Sequence, residues 1–156
     1  MENPMDPLSM IKSDHDKVRT MFEDYEGMSY EKKAAQAEKI CRELAVHMEM
    51  EENIFYPKLA GLSEAGREKA EHGIDEHEEA KSHIYPIYKA EEETELDEHM
   101  REMKGTVIGH MEEEENEVFP MAEGFRDDFK KLAAEMGVFK AKAKGEKLLE
   151  ELRKKI

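Results

Sequence analysis

The chain has 156 residues, which suits one domain, and its net charge of −15 argues against binding to nucleic acids or anionic membranes. Charged residues make up 40% and Trp is absent, a composition typical of long helices with solvated faces. The single cysteine, Cys41, forms no intrachain disulfide, and the first residues lack a signal-peptide pattern, so we expect a cytoplasmic location. No apolar run approaches the ~20 residues of a membrane span.

Helix breakers and caps divide most of the chain into four helix-length segments. The predicted bounds are Pro7 to Gly27, Ser29 to Pro57 or Leu59, Ser63 to about Ala90, and Thr94 or Asp97 to about Met121. Pro86 lies near the end of the third helix or kinks it, and Gly124 marks the end of the fourth. Short connections predict an all-α, antiparallel up-and-down four-helix bundle over residues 1–124.

The remaining residues, 125–156, predict one or two extra C-terminal helices broken near Gly137 and Gly145. From Lys140 onward this extension is basic on an otherwise acidic protein. Its apolar residues are Phe139, Leu148, Leu149, Leu152 and Ile156. We expect this stripe to pack on the bundle, although docking on a partner or a second subunit is the open alternative.

Each of the four long helices has an apolar stripe at three- and four-residue steps, and each stripe has a histidine in its middle. These histidines are His15, His47, His77 and His110. The third stripe also includes Ile74 and Tyr88, which we therefore predict to face the core. A histidine at one such position is commonplace, whereas four at matching positions require an explanation.

Two nearly identical peptides explain part of the pattern: HMEMEENIFYP from His47 and HMEEEENEVFP from His110. Each follows a helix with its own central histidine, so the chain consists of two similar hairpins. At ~100° per residue, a residue four positions on is displaced by only ~40°. Glu51 therefore projects from the face of His47, and Glu114 from that of His110. The same arithmetic turns Glu49 and Glu112 away.

Burying two carboxylates among imidazoles without a partner is costly, at several kcal/mol each. A metal ion removes that cost, because imidazole and carboxylate ligands together suit first-row transition ions. Two other metal motifs are missing: no Glu-x-x-His pair typical of ferritin-like carboxylate bundles is present, and no His-Glu-x-x-His zinc helix. The spacing thus predicts a metal site on six residues: His15, His47, Glu51, His77, His110 and Glu114.

The doubled His-x-x-x-Glu, followed by an aromatic residue and Pro, resembles the hemerythrin-like family, or HHE cation-binding domain, over about residues 7–121. The resemblance implies a four-helix bundle around two non-haem iron ions with an oxo, hydroxo or water bridge. By position, His15 and His47 would bind one iron, and His77 and His110 the other. Glu51 and Glu114 would bridge them.

The chain departs from the oxygen-carrying hemerythrins at two positions. Those carriers have a fifth histidine one turn before the histidine of the third helix, where this chain has Gly73. His72 and His83 are loose candidates for an added ligand, and we expect His99 to be exposed. The carriers also have an Asp five residues after the last histidine, where Glu115 stands here, so Glu115 is kept in reserve behind Glu114.

These features favour a non-haem di-iron protein that binds or senses dioxygen, nitric oxide or peroxide, or that buffers iron. The rivals are a metal-dependent sensor or interaction protein that signals through its basic tail, and a structural zinc or manganese site without redox activity. Tyr25, Tyr56 and Tyr88 are within reach of a pocket as hydrogen-bond donors, with core packing the favoured role for each. The sequence leaves catalytic turnover, a protein partner and the oligomeric state open.

Overall fold

The computed structural model describes residues 6–154, and all the secondary structure in that range is helical. The α-helices are α1 Pro7–Glu26, α2 Tyr30–Met50, α3 Tyr56–Leu62, α4 Glu64–Lys81, α5 Ile84–Lys89, α6 Glu93–Glu113, α7 Phe119–Ala122, α8 Phe129–Lys142 and α9 Gly145–Arg153. One π-helical turn, Glu51–Phe55, joins α2 to α3, and a second, Glu114–Val118, joins α6 to α7. A 3-10 segment, Glu123–Asp128, leads into α8. Within residues 6–154, no helix has the length and apolar character needed to span a membrane.

Side-chain caps explain where two of the long helices begin. Asp6 precedes Pro7 and accepts a hydrogen bond from the backbone N–H of Leu8 at 2.8 Å. Ser63 caps α4 by accepting from the backbone N–H of Gly66 at 3.0 Å, as its position in the sequence predicted. Ser29 stands at the N-cap of α2 without a side-chain bond.

The third predicted helix is interrupted, which corrects the expectation of one helix to Ala90. It ends at Lys81, and α5 begins at Ile84 with Pro86 in its first turn, where a missing N–H leaves no helical hydrogen bond unmade. The core prediction for Ile74 and Tyr88 is also wrong, since these side chains are 36% and 54% exposed. The buried face of α4 instead consists of small residues beside His77, namely Gly66, Ala70, Gly73 and Ala80.

Of two further helix boundaries, one agrees with its prediction and one differs. Helix α6 begins at Glu93, one residue before Thr94, the earlier of its two predicted starts. Gly137 does not break the C-terminal extension, because α8 continues through it to Lys142 and the break falls before Gly145. A glycine inside a helix lowers its stability without ending it when neighbouring residues pack well.

The long helices pack in pairs whose chain directions are opposed. Between α1 and α2, Asp14 contacts His47, while the backbone carbonyl of Met21 accepts from Gln36. Between α4 and α6, Glu76 contacts His110 and His72 contacts Glu113. In each pair, later residues of one helix meet earlier residues of the other. The matching sequence hairpins are therefore also hairpins in space.

The apolar core forms two clusters with a polar layer between them. The first contains Val18, Leu44, Met48, Ala80, Val107, Met111 and eleven further buried residues. The second contains Ile11, Met50, Phe55, Ala70, Val118 and seven further buried residues. His15 lies between Ile11 and Val18 on α1, and the other central histidines lie at comparable heights. The fold thus encloses the polar layer within apolar walls.

The C-terminal helices cover parts of both clusters. Helix α8 adds Phe129, Leu132 and Met136 to the second cluster, and α9 buries Leu149 in the first. Helix α9 lies against α2 and α5. Phe139, Leu148 and Leu152 are partly buried, whereas Ile156 of the predicted stripe lies outside the described residues.

Candidate metal centre

Six buried side chains from the polar layer converge on one point. Ligand atoms of His15, His47, Glu51 and Glu114 lie within 4.8 Å of one another, and so do those of Glu51, His77 and His110. These are the six residues predicted from the repeated spacing. All six are at most 6% exposed, so water does not solvate their charges.

The two glutamates each face both histidine pairs. One carboxylate oxygen of Glu114 lies 3.2 Å from Nε2 of His15, and its other oxygen lies 3.3 Å from Nε2 of His110. Oε1 of Glu51 lies 3.4 Å from Nε2 of His47 and 3.1 Å from Nε2 of His77. Each carboxylate therefore lies beside one histidine of each hairpin.

In each of the four central histidines, the ring nitrogen that faces away from the centre, Nδ1, contacts a further carboxylate. Nδ1 of His15 lies 2.7 Å from Glu115, and Nδ1 of His77 lies 2.7 Å from Glu52. The remaining Nδ1 contacts, each of 2.8 Å, are His47 with Asp14 and His110 with Glu76. Because an ionised carboxylate only accepts hydrogen bonds, Nδ1 donates its proton and Nε2 is directed to the centre. This arrangement is typical of metal-ligating histidines.

The four supporting carboxylates follow a simple rule in the sequence. The acid just before the first histidine of each hairpin supports the second histidine of the same hairpin, as Asp14 does for His47. The acid just after Glu51 or Glu114 supports the first histidine of the other hairpin, as Glu52 does for His77. Glu115 accordingly contacts His15 and Arg19 on the outer side of the site. Asp14, Glu52 and Glu76 were not predicted in this role, although their repeated positions in the sequence were a usable signal.

Glu51 and Glu114 each stand at the start of a π-helical turn. The backbone N–H of Tyr56 bonds to the carbonyl of Glu51, and that of Phe119 bonds to the carbonyl of Glu114, five residues back in each case. A proline follows each turn and cannot donate the α-helical hydrogen bond. Residues five apart would lie ~140° apart around an α-helix. The wider turn brings Tyr56 back towards the face of Glu51.

Tyr56 consequently places its hydroxyl inside the centre. The hydroxyl donates to Glu114 at 2.6 Å, and its oxygen lies 3.1 Å from Nε2 of His110 and 3.3 Å from Nε2 of His77. Its ring stacks on His77, as that of Phe119 stacks on His15 at the equivalent place in the repeat. At this pair of positions the two halves of the centre thus differ by one hydroxyl group.

Gly73 provides the space that this tyrosine needs. A Cβ at position 73 would lie 2.6 Å from the hydroxyl oxygen of Tyr56 and 2.8 Å from the ring carbon that bears it. Ile11 is the equivalent of Gly73, four residues before His15, and it is buried. In that half of the centre the aromatic residue is Phe119, which lacks the hydroxyl of Tyr56. In this chain, the position that holds the fifth histidine of oxygen carriers is Gly73, because the side chain of Tyr56 fills the space.

Buried polar atoms without a hydrogen-bond partner indicate whether the six side chains suit a pair of cations. Among residues 6–154, Nε2 of His15, Nε2 of His47, Oε2 of Glu51 and Oε1 of Glu114 are buried without a hydrogen-bond partner. Unpaired groups of this kind are destabilising unless a ligand satisfies them. Four imidazoles and two carboxylates suit first-row transition ions, so the donor set fits.

The facing carboxylates raise the pKa of two histidines at the centre, His47 and His110. Burial lowers the pKa of His47, but the charges of Glu51 and Asp14 outweigh this and raise it to about 10. Burial also opposes charge on His110, yet Glu114, Glu51 and Glu76 raise its pKa to about 12. The histidines in turn hold the pKa of Glu51 well below its usual range, against the effect of burial. A metal ion must displace protons from these histidines when it binds.

Several candidates from the sequence lie away from the centre. His72 is 51% exposed and contacts Glu76 and Glu113. His83 lies near Glu102, and His99 is half-buried rather than exposed as expected. Tyr25 donates to Asp97, and Tyr88 is at the surface. Glu112 is exposed as predicted, whereas Glu49 is half-buried.

A small cavity adjoins the four histidines on the side of the first apolar cluster. Its volume is about 20 Å³, and its apolar lining consists of Val18, Leu44, Met48, Ala80, Val107 and Met111. A space of this size holds about one water-sized molecule. The centre is therefore next to a compartment that admits only very small ligands.

We expect Asp14→Asn to lower metal affinity by about 10–100-fold, because the amide no longer holds the Nδ1 proton of His47 as strongly. Asp14 is buried and also pairs with Lys140, so the variant changes a contact that water does not replace. Asp16→Asn is the matched control, since Asp16 is exposed and pairs with Lys12 and Arg19. Competition with a chromogenic chelator measures both affinities, and equal values would contradict a supporting role for Asp14.

Comparison with protein families matches residues 6–122 to the hemerythrin HHE cation-binding domain. The match covers all six converging residues and the four supporting carboxylates. No curated protein and no solved structure matches the chain.

Proposed function

The chain belongs to the hemerythrin HHE cation-binding family, and from that membership we propose that it is a non-haem di-iron protein. Its ligand would be dioxygen, nitric oxide or peroxide, bound or sensed at the centre, and iron buffering is the related role. The proposal includes an antiparallel up-and-down bundle of the four long helices over residues 1–124, with residues 125–156 as an extension that packs on it. One cysteine without a disulfide partner suits the reducing cytoplasm as its location.

Each proposed ligand acts through an atom already directed to the centre. Nε2 of His15 and of His47 would hold one iron, and Nε2 of His77 and of His110 the other. Glu51 and Glu114 would bridge the two, since each faces both histidine pairs. Bound iron would supply one-electron redox chemistry and coordination positions for a small molecule.

The cavity of about 20 Å³ is the observation that supports a very small ligand. Apart from Thr106 and the side chains of the centre and its supporting acids, the cavity walls are apolar, so a diatomic molecule loses little on leaving water for this space. A larger organic substrate would have to displace Val18, Leu44 or Met111 from a packed core. These side chains exclude bulk water from the donors and select ligands by size.

Tyr56 distinguishes this centre from that of a five-histidine oxygen carrier. Its hydroxyl donates a hydrogen bond to Glu114 and stands beside His77 and His110, where a carrier has its additional imidazole. Burial raises the pKa of Tyr56, and the nearby charges of Glu51 and Glu114 raise it further, which keeps the hydroxyl protonated without metal. A proton donor at this position favours ligand activation or sensing over reversible carriage.

The test is a visible absorption spectrum of iron-loaded protein, taken reduced under nitrogen and again after addition of air, nitric oxide or peroxide. We expect about two iron atoms per chain, as bridged bundle sites hold, and new bands with at least one of the three ligands. Fewer than about one iron per chain, with zinc or manganese in its place, would contradict the proposal and favour a structural site.

A metal-dependent sensor is a second candidate, because one contact chain joins the centre to the C-terminal extension. Lys140 of α8 pairs with Asp14, and Asp14 holds Nδ1 of His47 at 2.8 Å. Metal loss that shifts His47 would therefore act on α8 through two contacts. A spectrum that stays silent with all three ligands, together with metal-dependent protection of α8 from hydrogen exchange, would favour this candidate.

A further inference from the structure

A second cluster of metal-ligating side chains lies outside the candidate di-iron centre. It consists of His83, His99 and Glu102, whose ligand atoms lie within 4.8 Å of one another. His83 stands in the short break between α4 and α5, and the other two residues lie three apart on one face of α6. His99 is eleven residues from His110 on the same helix, which places the cluster ~16 Å from the centre along the axis.

One buried atom in this cluster has no partner. Of the buried side-chain atoms that make no hydrogen bond among residues 6–154, four belong to the six converging residues and the fifth is Nδ1 of His99. A lone imidazole nitrogen buried in this way is destabilising unless something binds it. His99 is thus a member of the cluster with a ring nitrogen whose hydrogen-bonding capacity is unused.

The surroundings leave the cluster open to a cation. Glu102 is 53% exposed, and its ion-pair partner in the described part of the chain is His83, at 3.8 Å, with no lysine or arginine recorded beside it. The two imidazole rings lie 6.5 Å apart between centroids and are inclined by 47°, so their nitrogens can approach one ion from different directions. No competing positive charge has to be displaced.

We propose that His83, His99 and Glu102 form a peripheral site for a divalent first-row ion of the zinc type. Two imidazoles and one carboxylate are a common zinc ligand set, with a water in the fourth position. The ion would tie the break between α4 and α5 to α6. The ion would then link the end of α4 to α6, at the end of the hairpin that is remote from His77 and His110.

Zinc titration of the iron-loaded protein tests this site, with iron content checked afterwards to show that the centre stays filled. We expect His83→Ala, His99→Ala and Glu102→Gln each to bind one zinc ion fewer per chain than the parent, or to bind it at least about tenfold more weakly. Because only the difference between parent and variant is counted, the result does not depend on the metal in the centre.

Two control variants separate this site from unspecific binding. Glu98→Gln and Glu95→Gln each remove an exposed glutamate of the same helix. Both should keep the parent zinc content. Equal losses in Glu98→Gln and Glu102→Gln would show that any glutamate of α6 traps zinc, and would overturn the assignment, as would full retention by His99→Ala.

Thermal melting checks that the variants fold. Without zinc, His99→Ala and the parent should melt at similar temperatures, because the nitrogen of His99 has no partner to lose. With zinc, only the parent and the two controls should melt at a higher temperature. A zinc-induced rise of the same size in His99→Ala would count against this link.

Discussion

His110→Ala should reduce the iron content from about two atoms per chain to about one or fewer, whereas Glu112→Ala should leave it unchanged. His110 is 6% exposed and directs Nε2 at Glu114, while Glu112 lies two residues on and is exposed. The variant also leaves Glu114 and Glu76 without their partner. Metal analysis after gel filtration gives the iron content of both proteins.

The same pair of variants should differ in stability. Loss of a ligand present at ~100 times its dissociation constant removes about 2.7 kcal/mol of the free energy of unfolding. We therefore expect His110→Ala to unfold at a clearly lower denaturant concentration than Glu112→Ala. A chelator should destabilise the parent and Glu112→Ala more than it destabilises His110→Ala, which has less bound metal to lose. Equal iron retention in the two variants would refute the assignment of helix faces.

Gly73→Ala should destabilise the protein by about 1–3 kcal/mol and lower its metal content, because the added methyl group overlaps Tyr56. The nearest contact, 2.6 Å to the hydroxyl oxygen, is too short for the side chain to stay where it is. Tyr56 is 2% exposed, so it has no free space to enter. Its displacement would disturb Glu114, His77 and His110 together.

Gly109→Ala is the matched control for this substitution. Gly109 also lies in the middle of a long helix, but a Cβ there would meet nothing within 4 Å. The control should gain about 0.5–1 kcal/mol, since alanine restricts the unfolded chain more than glycine does. Urea unfolding measures both changes.

A double-mutant cycle with Tyr56→Phe then isolates the clash. Phenylalanine lacks the oxygen that lies 2.6 Å from the added methyl, although ring carbons remain at 2.8 and 3.0 Å. Gly73→Ala should thus cost less free energy of unfolding in the Tyr56→Phe background, with a coupling above about 0.5 kcal/mol. If the changes in the free energy of unfolding are additive, the hydroxyl of Tyr56 is not the reason for glycine at position 73.

The residues that face the centre were predictable because α-helical geometry is regular. A spacing of four residues places His47 and Glu51 on one face, and the structure has both directed to the centre. The family assignment from the doubled motif is confirmed by the match over residues 6–122. That these residues ligate iron remains a prediction, which the metal analyses above address.

The role of Tyr56 was not predictable from the same arithmetic. A regular α-helix would turn Tyr56 away from Glu51, and only the π-helical turn before Pro57 returns it. Two prolines at matching places in the repeat were the signal for such a turn. The absence of a fifth histidine at Gly73 was visible in the sequence, but its reason was not, because the position of Tyr56 beside it depends on the π-helical turn.

The error on α4 has a different cause. Hydrophobic periodicity assigns large apolar residues such as Ile74 to the core, but the centre leaves little volume beside His77. The helix therefore buries glycine and alanine there, and Ile74 is left at the surface. Side-chain volume, not hydrophobicity alone, decides which face of a helix approaches a metal centre.

The crossed carboxylates tie the two hairpins to each other. Glu52 of the first hairpin orients His77 of the second, and Glu115 of the second orients His15 of the first. A hairpin expressed alone would have a first histidine whose ring can rotate freely. Metal capture thus requires both halves to be assembled, so two separately produced fragments, each unable to load iron, should complement one another when mixed.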